Sequence, residues 1–401
     1  MTTPVSPLLR QRGTAESSRV AMVELFFDLV FVFAVTQLSH TLLENLTVQG
    51  ALQTLLLFLA VWWLWIFTSW VTNWLDPDRT PVRVMLFALM LGGLLLSSSI
   101  PHAFAERGLM FGIVFAAMQV GRTAFVAVAM RGRHRVLHEN FVRIALWLTM
   151  SGALWVAGGF AQGPTRVALW VGAVAIEYLA PALYFYIPGM GRSSTTDWDV
   201  DGHHLAERCA LFVIIALGES VLVTGATFAG HEWNTPTITA FVVAFLGSVA
   251  MWWIYFDTGA ERASHRIEHS EDPGRQARLA YTYLHLLIIA GIIVCAVADE
   301  LALAHPDHFE GDGRAAMAAM IGGPMLYLLG VALFKWVCNE RRGPPLSHCA
   351  GIVLLAALIP AAMAHLLSPL ALGAATTLVL VIVATWETIA LRRVRQPSAN
   401  A

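Results

Sequence analysis

The chain has 401 residues, of which 57% are hydrophobic and only 13% are charged. Soluble domains carry about twice that share of charged residues, so the composition excludes an ordinary soluble protein. The formal net charge of −2 gives no basis for nucleic-acid binding. We therefore predict an all-α polytopic membrane protein whose main partner is the lipid bilayer.

The first segment, 1–20, is predicted to be a basic cytoplasmic tail because it holds Arg10, Arg12 and Arg19 but no apolar run. No separate apolar segment precedes the first predicted span, so we expect no cleaved signal peptide. The four cysteines lie in or beside apolar runs without a CxxC spacing, which is typical of small buried side chains. No metal and no cofactor are predicted.

Twelve apolar runs follow, each long enough to cross a bilayer as one helix. They cover residues 21–43, 50–70, 81–100, 108–130, 140–160, 165–187, 204–228, 236–258, 278–304, 315–338, 346–366 and 369–391. Only a break at Ser368-Pro369 separates the last two runs. The sequence therefore leaves open whether 346–391 forms one span or two.

The basic residues favour twelve spans. With that number, 21 of the 25 Lys and Arg residues fall on the side that carries both termini, and only three fall on the other side. Cytoplasmic loops of membrane proteins are enriched in Lys and Arg. The pattern predicts that both termini, including a tail at 392–401, lie in the cytoplasm.

Three landmarks occur twice in the same order and predict an internal repeat. Glu24 opens the first run and Glu207 the seventh; WWLWIF at 62–67 matches MWWIYF at 251–256; DPDR at 76–79 matches DPGR at 272–275. This match predicts two six-helix halves, which are residues 21–187 and 204–391, joined by a cytoplasmic linker at 188–203. An even number of spans per half makes the halves parallel, as in one class of transporters.

Two longer stretches resemble a known family. The run ELFFDLVFV at 24–32, followed by QLSH at 37–40, resembles the opening signature of the bacterial low temperature requirement protein A (LtrA) family. The stretches HLAER at 204–208 and LFVIIALGES at 211–220 are similar to that family's second signature. The resemblance implies an integral protein of the bacterial inner (plasma) membrane that is linked to growth in the cold, and it implies no particular chemistry.

Charged residues inside the apolar runs are the candidate site. Such groups are costly in lipid and usually face the protein interior or a wet cavity. Glu24 and Asp28 share one helix face, and Arg122 lies at a similar predicted depth in the fourth span. We expect these three residues to form either a gate or substrate anchor, or a structural ion pair.

Two further acids are candidate proton or cation sites. Glu219 lies about twelve residues into the seventh span, near the predicted bilayer centre, and could instead be a neutral acid bonded to a neighbouring helix. Glu177 is predicted to lie mid-span, four residues before Pro181, which removes a backbone hydrogen bond nearby. A structural kink with a neutral acid is the alternative interpretation of Glu177.

Four polar residues form a second tier of candidates. Glu207 and Arg208 could repeat the Glu24 arrangement in the second half, or could simply be solvated near the interface. Gln37 and Ser220 could line a site, although such residues often bond across helices instead.

Three functional hypotheses remain open. A proton- or cation-coupled secondary transporter of an unknown small solute is favoured by the two halves and their buried acids. A membrane-embedded enzyme on a lipid-like substrate would need a ligand cluster, for which the nearest candidate is His265, Glu268, His269 and Asp272. A structural or sensor protein responding to lipid state in the cold is the third. No ATP-binding motif is present, and we expect no enzymatic activity.

Overall fold

The computed structural model describes residues 8–10, 19–193, 200–257, 273–338 and 343–395, without the side chains of 273 and 391–395. The candidate metal cluster at His265, Glu268, His269 and Asp272 lies outside the described residues, and so do most of the two terminal tails. Within these ranges the chain forms helices and isolated β-bridges only, which confirms the predicted all-α class.

Six helices make up the first half of the chain. They are α1 Met22–Glu44, α2 Val48–Trp74, α3 Thr80–Ser99, α4 Gly108–Met130, α5 Arg135–Phe160 and α6 Gly163–Leu179. Close backbone approach is possible between α4 and α5 because Gly112 lies directly against the Trp155 carbonyl, 2.4 Å from where a Cβ would stand.

Six further helices lie in the described part of the second half. They are α7 Gly202–Ala229, α8 Thr235–Phe256, α9 Gly274–Ala304, α10 Arg314–Cys338, α11 Leu346–Met363 and α12 Pro369–Arg395. The helix α9 contains a π-helical stretch at Arg278–Leu284. Because α11 and α12 are separate helices, with His365 between them at φ +52°, the stretch 346–391 holds two spans.

Within the described residues, eleven helices are long and apolar enough to cross a membrane, which confirms the polytopic prediction. The remaining helix, α6, has 17 residues. The predicted sixth span at 165–187 was too long, since the chain leaves the helix at Leu179 and turns at Tyr184 and Phe185, both with positive φ. Pro181 has no N–H to continue the helical ladder.

The positions of helix ends support counting α6 as a crossing. The start of α1 and the start of α7 touch each other, since Glu24 lies 2.9 Å from His204. Two helix starts on the same membrane side require an even number of crossings between them. The helices α1 to α6 provide six only if α6 also spans the bilayer.

The chain divides into two compact units. The first unit contains residues 1–41, 48–208 and 270–277. It therefore includes most of α1, all of α2 to α6 and the first turns of α7. The second unit contains residues 42–47, 209–269 and 278–401. The largest buried side chains of the first unit are tryptophans, among them Trp62, Trp63, Trp65, Trp155 and Trp170. Three tyrosines, Tyr255, Tyr281 and Tyr327, have that role in the second.

Several basic residues that the sequence assigns to loops or interfaces lie buried inside helices. Arg143, Arg208 and Lys335 on the predicted cytoplasmic side, and Arg166 on the other side, are all less than 9% exposed. Hydropathy treats a charge near a helix end as solvated, but these side chains find partners in neighbouring helices or in the loops between them. Without these four residues, the remaining Lys and Arg residues still favour the side that carries both termini. The orientation of the chain in the membrane stays a prediction.

Candidate functional site

A buried group of charges lies in the first unit where the starts of α1 and α7 meet the end of α2. Glu24 and Asp28 stand four residues apart on α1, and both are 0% exposed. His204 and Arg208 stand four residues apart on α7, at 0% and 1%. Because residues at this spacing share a helix face, two acids face an imidazole and a guanidinium. We call this group the Glu24–Asp28 cluster.

Glu24 is the most heavily bonded member of the cluster. Its Oε2 accepts hydrogen bonds from Arg10 Nη2 at 2.7 Å and from the Ala21 backbone N–H at 2.9 Å. Its Oε1 lies 2.9 Å from His204 Nε2 and 3.7 Å from Arg208 Nη1. Both carboxylate oxygens are therefore occupied, and Glu24 serves as an anchor for three chain segments.

The tautomer of His204 follows from its neighbours. Asn73 Oδ1 accepts from the Asp201 backbone N–H at 3.1 Å, so Asn73 Nδ2 is the donor toward His204 Nδ1 at 3.2 Å. The Nδ1 atom must then accept, and the proton of a neutral imidazole sits on Nε2. His204 therefore donates to Glu24.

Asp28 uses only one of its two oxygens. Asp28 Oδ1 accepts from Trp65 Nε1 at 2.7 Å and from Arg208 Nη2 at 2.8 Å. Arg208 Nη2 also reaches Ser69 Oγ at 3.2 Å. Asp28 Oδ2 is buried and has no hydrogen-bond partner among the described residues. A buried carboxylate oxygen without a donor is a position where a proton, a water or a cation can bind.

The N-terminal segment covers this cluster. The Arg10 backbone N–H donates to the Trp74 carbonyl at 2.9 Å, and Leu9 forms an antiparallel bridge with Leu75. The Arg10 side chain, 7% exposed, also lines a cleft of about 780 Å³ beside the start of α1. Arg10 therefore stands between that cleft and Glu24.

A second buried group, the Arg122–Glu177 cluster, contacts α2 at Leu64 and Thr68, each one residue before Trp65 and Ser69 of the first cluster. Arg122 Nη1 donates to the Leu64 carbonyl at 3.0 Å and to Thr68 Oγ1 at 2.8 Å, and Nη2 donates to Gln119 Oε1. Arg122 also interacts electrostatically with Glu177.

Glu177 has the same bonding pattern as Asp28. Glu177 Oε1 accepts from Ser151 Oγ at 2.8 Å and from Trp155 Nε1 at 3.1 Å. Its Oε2 is buried and accepts no hydrogen bond of normal length within the part of the chain that is described, although the Gln119 side chain lies near enough to interact with the carboxylate. Each acid is thus held by a tryptophan through one oxygen and leaves the other oxygen uncommitted.

Three expectations about these residues were wrong. Glu24 and Asp28 do not pair with Arg122; they pair with Arg208, because α7 rather than α4 brings its cation to the start of α1. Arg208 is consequently neither solvated nor interfacial. Glu177 is also not mid-span, because α6 ends two residues later at Leu179.

The other candidates are not in either cluster. Glu207 is half-buried and accepts from the Val20 backbone N–H at 3.0 Å, and Gln37 is half-buried on α1. Glu219 and Ser220 belong to the second unit. Glu219 is half-buried, whereas Ser220 is 1% exposed and its Oγ has no hydrogen-bond partner among the described residues. Their roles stay predictions.

Sequence reasoning missed several members of the clusters. His204 could have been found, since it stands four residues before Arg208 on the same helix face. Trp65 was noted only as part of an aromatic run. Gln119 lies one turn before Arg122, and this spacing is a usable signal. Arg10 offers no local signal, because nothing in the tail indicates that it returns to α2.

Comparison with known proteins assigns the chain to a family. The family model described as "Bacterial low temperature requirement A protein (LtrA)" matches residues 19–385. A protein of Rhizobium meliloti (strain 1021), described as "Uncharacterized protein RA0937", is 41% identical over 396 residues, covering 98% of this chain and 94% of its own length. No solved structure matches. The chain belongs to the bacterial low temperature requirement A (LtrA) family.

Proposed function

We propose that this chain is a proton-coupled secondary transporter of a small solute, and that Asp28 and Glu177 exchange the proton. The observation that carries this proposal is the uncommitted oxygen of each acid, Asp28 Oδ2 and Glu177 Oε2, in otherwise bonded, buried surroundings. A purely structural acid is expected to have its lone pairs satisfied. An acid that alternates between two protonation states needs one position that stays open.

The two clusters are adjacent along α2. Ser69 accepts from Arg208 of the first cluster, and its chain neighbour Thr68 accepts from Arg122 of the second. A proton that reaches Asp28 therefore has polar side chains ahead of it toward Glu177. The cleft beside Arg10 supplies water at the other end, where Arg10 controls contact with Glu24.

A matching pair in the second half supports the proposed duplication. Lys335 Nζ of α10 donates to Glu387 Oε2 of α12 at 2.7 Å and to the Ile254 carbonyl of α8 at 2.6 Å. Arg122 of α4 interacts with Glu177 of α6 and with the Leu64 carbonyl of α2. Leu64 and Ile254 each follow a Trp-Trp pair in their helix.

This correspondence involves the second, fourth and sixth helix of each half. Parallel halves of this kind build one class of secondary transporters, with substrate sites where the halves meet. We extend the proposal to a bacterial inner-membrane location with both termini in the cytoplasm. Glu219 and Ser220 on α7 remain the proposed ion or solute contacts of the second half.

The test uses purified protein in vesicles that contain a pH-sensitive dye and hold an imposed pH gradient. Defined mixtures of amino acids, organic acids and amine cations are added in turn. We expect one mixture to collapse the gradient with the wild-type chain, and Asp28→Asn or Glu177→Gln to slow that collapse at least about tenfold. Glu139→Gln, an exposed acid on α5, is the matched control.

Proton movement that is independent of every mixture, or that survives both substitutions, would contradict the proposal. We also propose that the chain is not an enzyme. Metal analysis of the purified protein separates the two ideas, since stoichiometric metal would favour an enzyme built on His265, Glu268, His269 and Asp272.

A further inference from the structure

A small, partly open cavity lies within the second unit, between α8, α9, α10 and α12. Its volume is about 20 Å³, and the residues that line it include Asp299, Met320, Pro324, Gly373, Thr376 and Thr377. A cavity of this size holds one particle as large as a water molecule. The chemistry of its lining residues determines which ligand of that size it binds.

Asp299 gives the cavity a negative charge. It lies on α9, inside a predicted span, and its carboxylate has no hydrogen bond or ion pair with any described residue. Asp299 is half-buried, and an ionised carboxylate within a membrane span is costly unless an opposite charge accompanies it. The cavity therefore needs either a proton on Asp299 or a cation beside it.

Two threonines add neutral oxygens to the wall. Thr376 Oγ1 donates its proton to the Gly373 carbonyl at 3.0 Å, and Thr377 Oγ1 donates to the Val243 carbonyl at 3.4 Å. A hydroxyl whose proton is already used presents lone pairs to a third group. Both hydroxyls can thus act as ligands for a positive charge.

Pro324 adds a backbone oxygen. It lies inside α10 and has no N–H for the carbonyl four residues earlier, which belongs to Met320. Met320 and Pro324 both line the cavity. Backbone carbonyls that lose their helical partner within a membrane protein are tolerated where they face a polar cavity.

The donor set defines the class of ligand. One carboxylate with a few neutral oxygens balances a single positive charge, whereas Ca²⁺ takes six to eight oxygen ligands and Mg²⁺ demands octahedral geometry. We propose that this cavity binds one dehydrated alkali-metal cation, held by Asp299, Thr376, Thr377 and the Met320 carbonyl. The inference goes beyond the proposed transport role, because a bound ion stabilises the protein whether or not a solute moves.

The experiment measures thermal unfolding of the purified full chain in detergent. Chloride salts of Na⁺, K⁺, Li⁺ and choline are titrated at constant ionic strength. We expect a saturable rise of the unfolding midpoint with at least one alkali cation and none with choline. Asp299→Asn should weaken that response at least about tenfold in concentration.

The neighbouring acid supplies the matched control. Glu300 is next to Asp299 on the same helix but does not line the cavity, so Glu300→Gln should respond to the cation as the wild type does. If Asp299→Asn does not fold, Thr377→Val and Pro324→Ala remove one ligand each and should weaken the response.

Two results would overturn the cation site. One is a midpoint that responds equally to choline and to every alkali cation. The other is a cation response that Asp299→Asn and Thr377→Val both retain. Neither result bears on proton exchange at Asp28 and Glu177, so the two proposals fail independently.

Discussion

The Arg122–Glu177 cluster and the Lys335–Glu387 pair have the same layout but different bonding. Lys335 binds Glu387 directly, with His348 3.9 Å from the same carboxylate oxygen. Arg122 instead divides its guanidinium among two side chains and a carbonyl, and reaches Glu177 only electrostatically. The difference suggests that the second half keeps its acid locked in an ion pair, while the first half leaves its acid available for exchange.

The packing around the two centres differs as well. Trp62 and Trp63 of α2 are 1% and 0% exposed, whereas Trp252 and Trp253 of α8 are 45% and 43% exposed. In the first unit α4 packs most extensively on α5, but in the second unit α10 packs most extensively on α9. If the two halves share an origin, they have therefore kept the positions of their charged residues better than the pairs of helices that pack against each other.

The largest effect is expected from breaking the direct ion pair. Lys335→Met leaves Glu387 buried without its cation and should lower the free energy of unfolding by about 3 to 5 kcal/mol. The double variant Lys335→Met/Glu387→Met should recover most of that loss. Unfolding in mixed micelles by titration with SDS measures both. A single variant as stable as the wild type would show that the pair is not locked.

An intermediate effect is expected from exchanging the cations. Arg122→Lys replaces a guanidinium that serves three acceptors by a single ammonium and should cost about 1 to 3 kcal/mol. Lys335→Arg adds volume to a packed position and should cost about the same through overpacking. The same unfolding titration checks both. If neither exchange lowers the free energy of unfolding, the two centres hold their cations in equivalent ways.

The smallest effect is expected at the exposed tryptophan. Trp252→Leu keeps an apolar side chain at an exposed position and should change the free energy of unfolding by less than about 0.5 kcal/mol. Trp62→Leu removes buried volume and should cost about 2 to 3 kcal/mol. Equal effects at the two positions would mean that Trp252 is covered, for instance by another copy of the chain.

The sequence was sufficient to predict the helices but insufficient to predict which charges meet. Apolar runs determine the spans, because each helix must satisfy its own backbone in lipid. Glu387 precedes the basic tail by only a few residues, where a solvated carboxylate would be unremarkable, yet it is 7% exposed and paired with Lys335. Asp299 was not among the residues for which the sequence predicted a role. Charge pairing between helices depends on tertiary packing, which hydropathy does not contain.

The contact between Asp28 and Arg208 has a consequence for how the chain is made. The two residues are 180 positions apart, so the first helix to be synthesised carries an acid, Asp28, whose cation arrives only with the seventh. A fragment that stops in the linker at 188–203 would lack both Arg208 and His204. A fragment that ends at the apparent midpoint therefore contains a buried Asp28 carboxylate without its cation. The first helix can reach its final packing only after the ribosome has synthesised the start of α7.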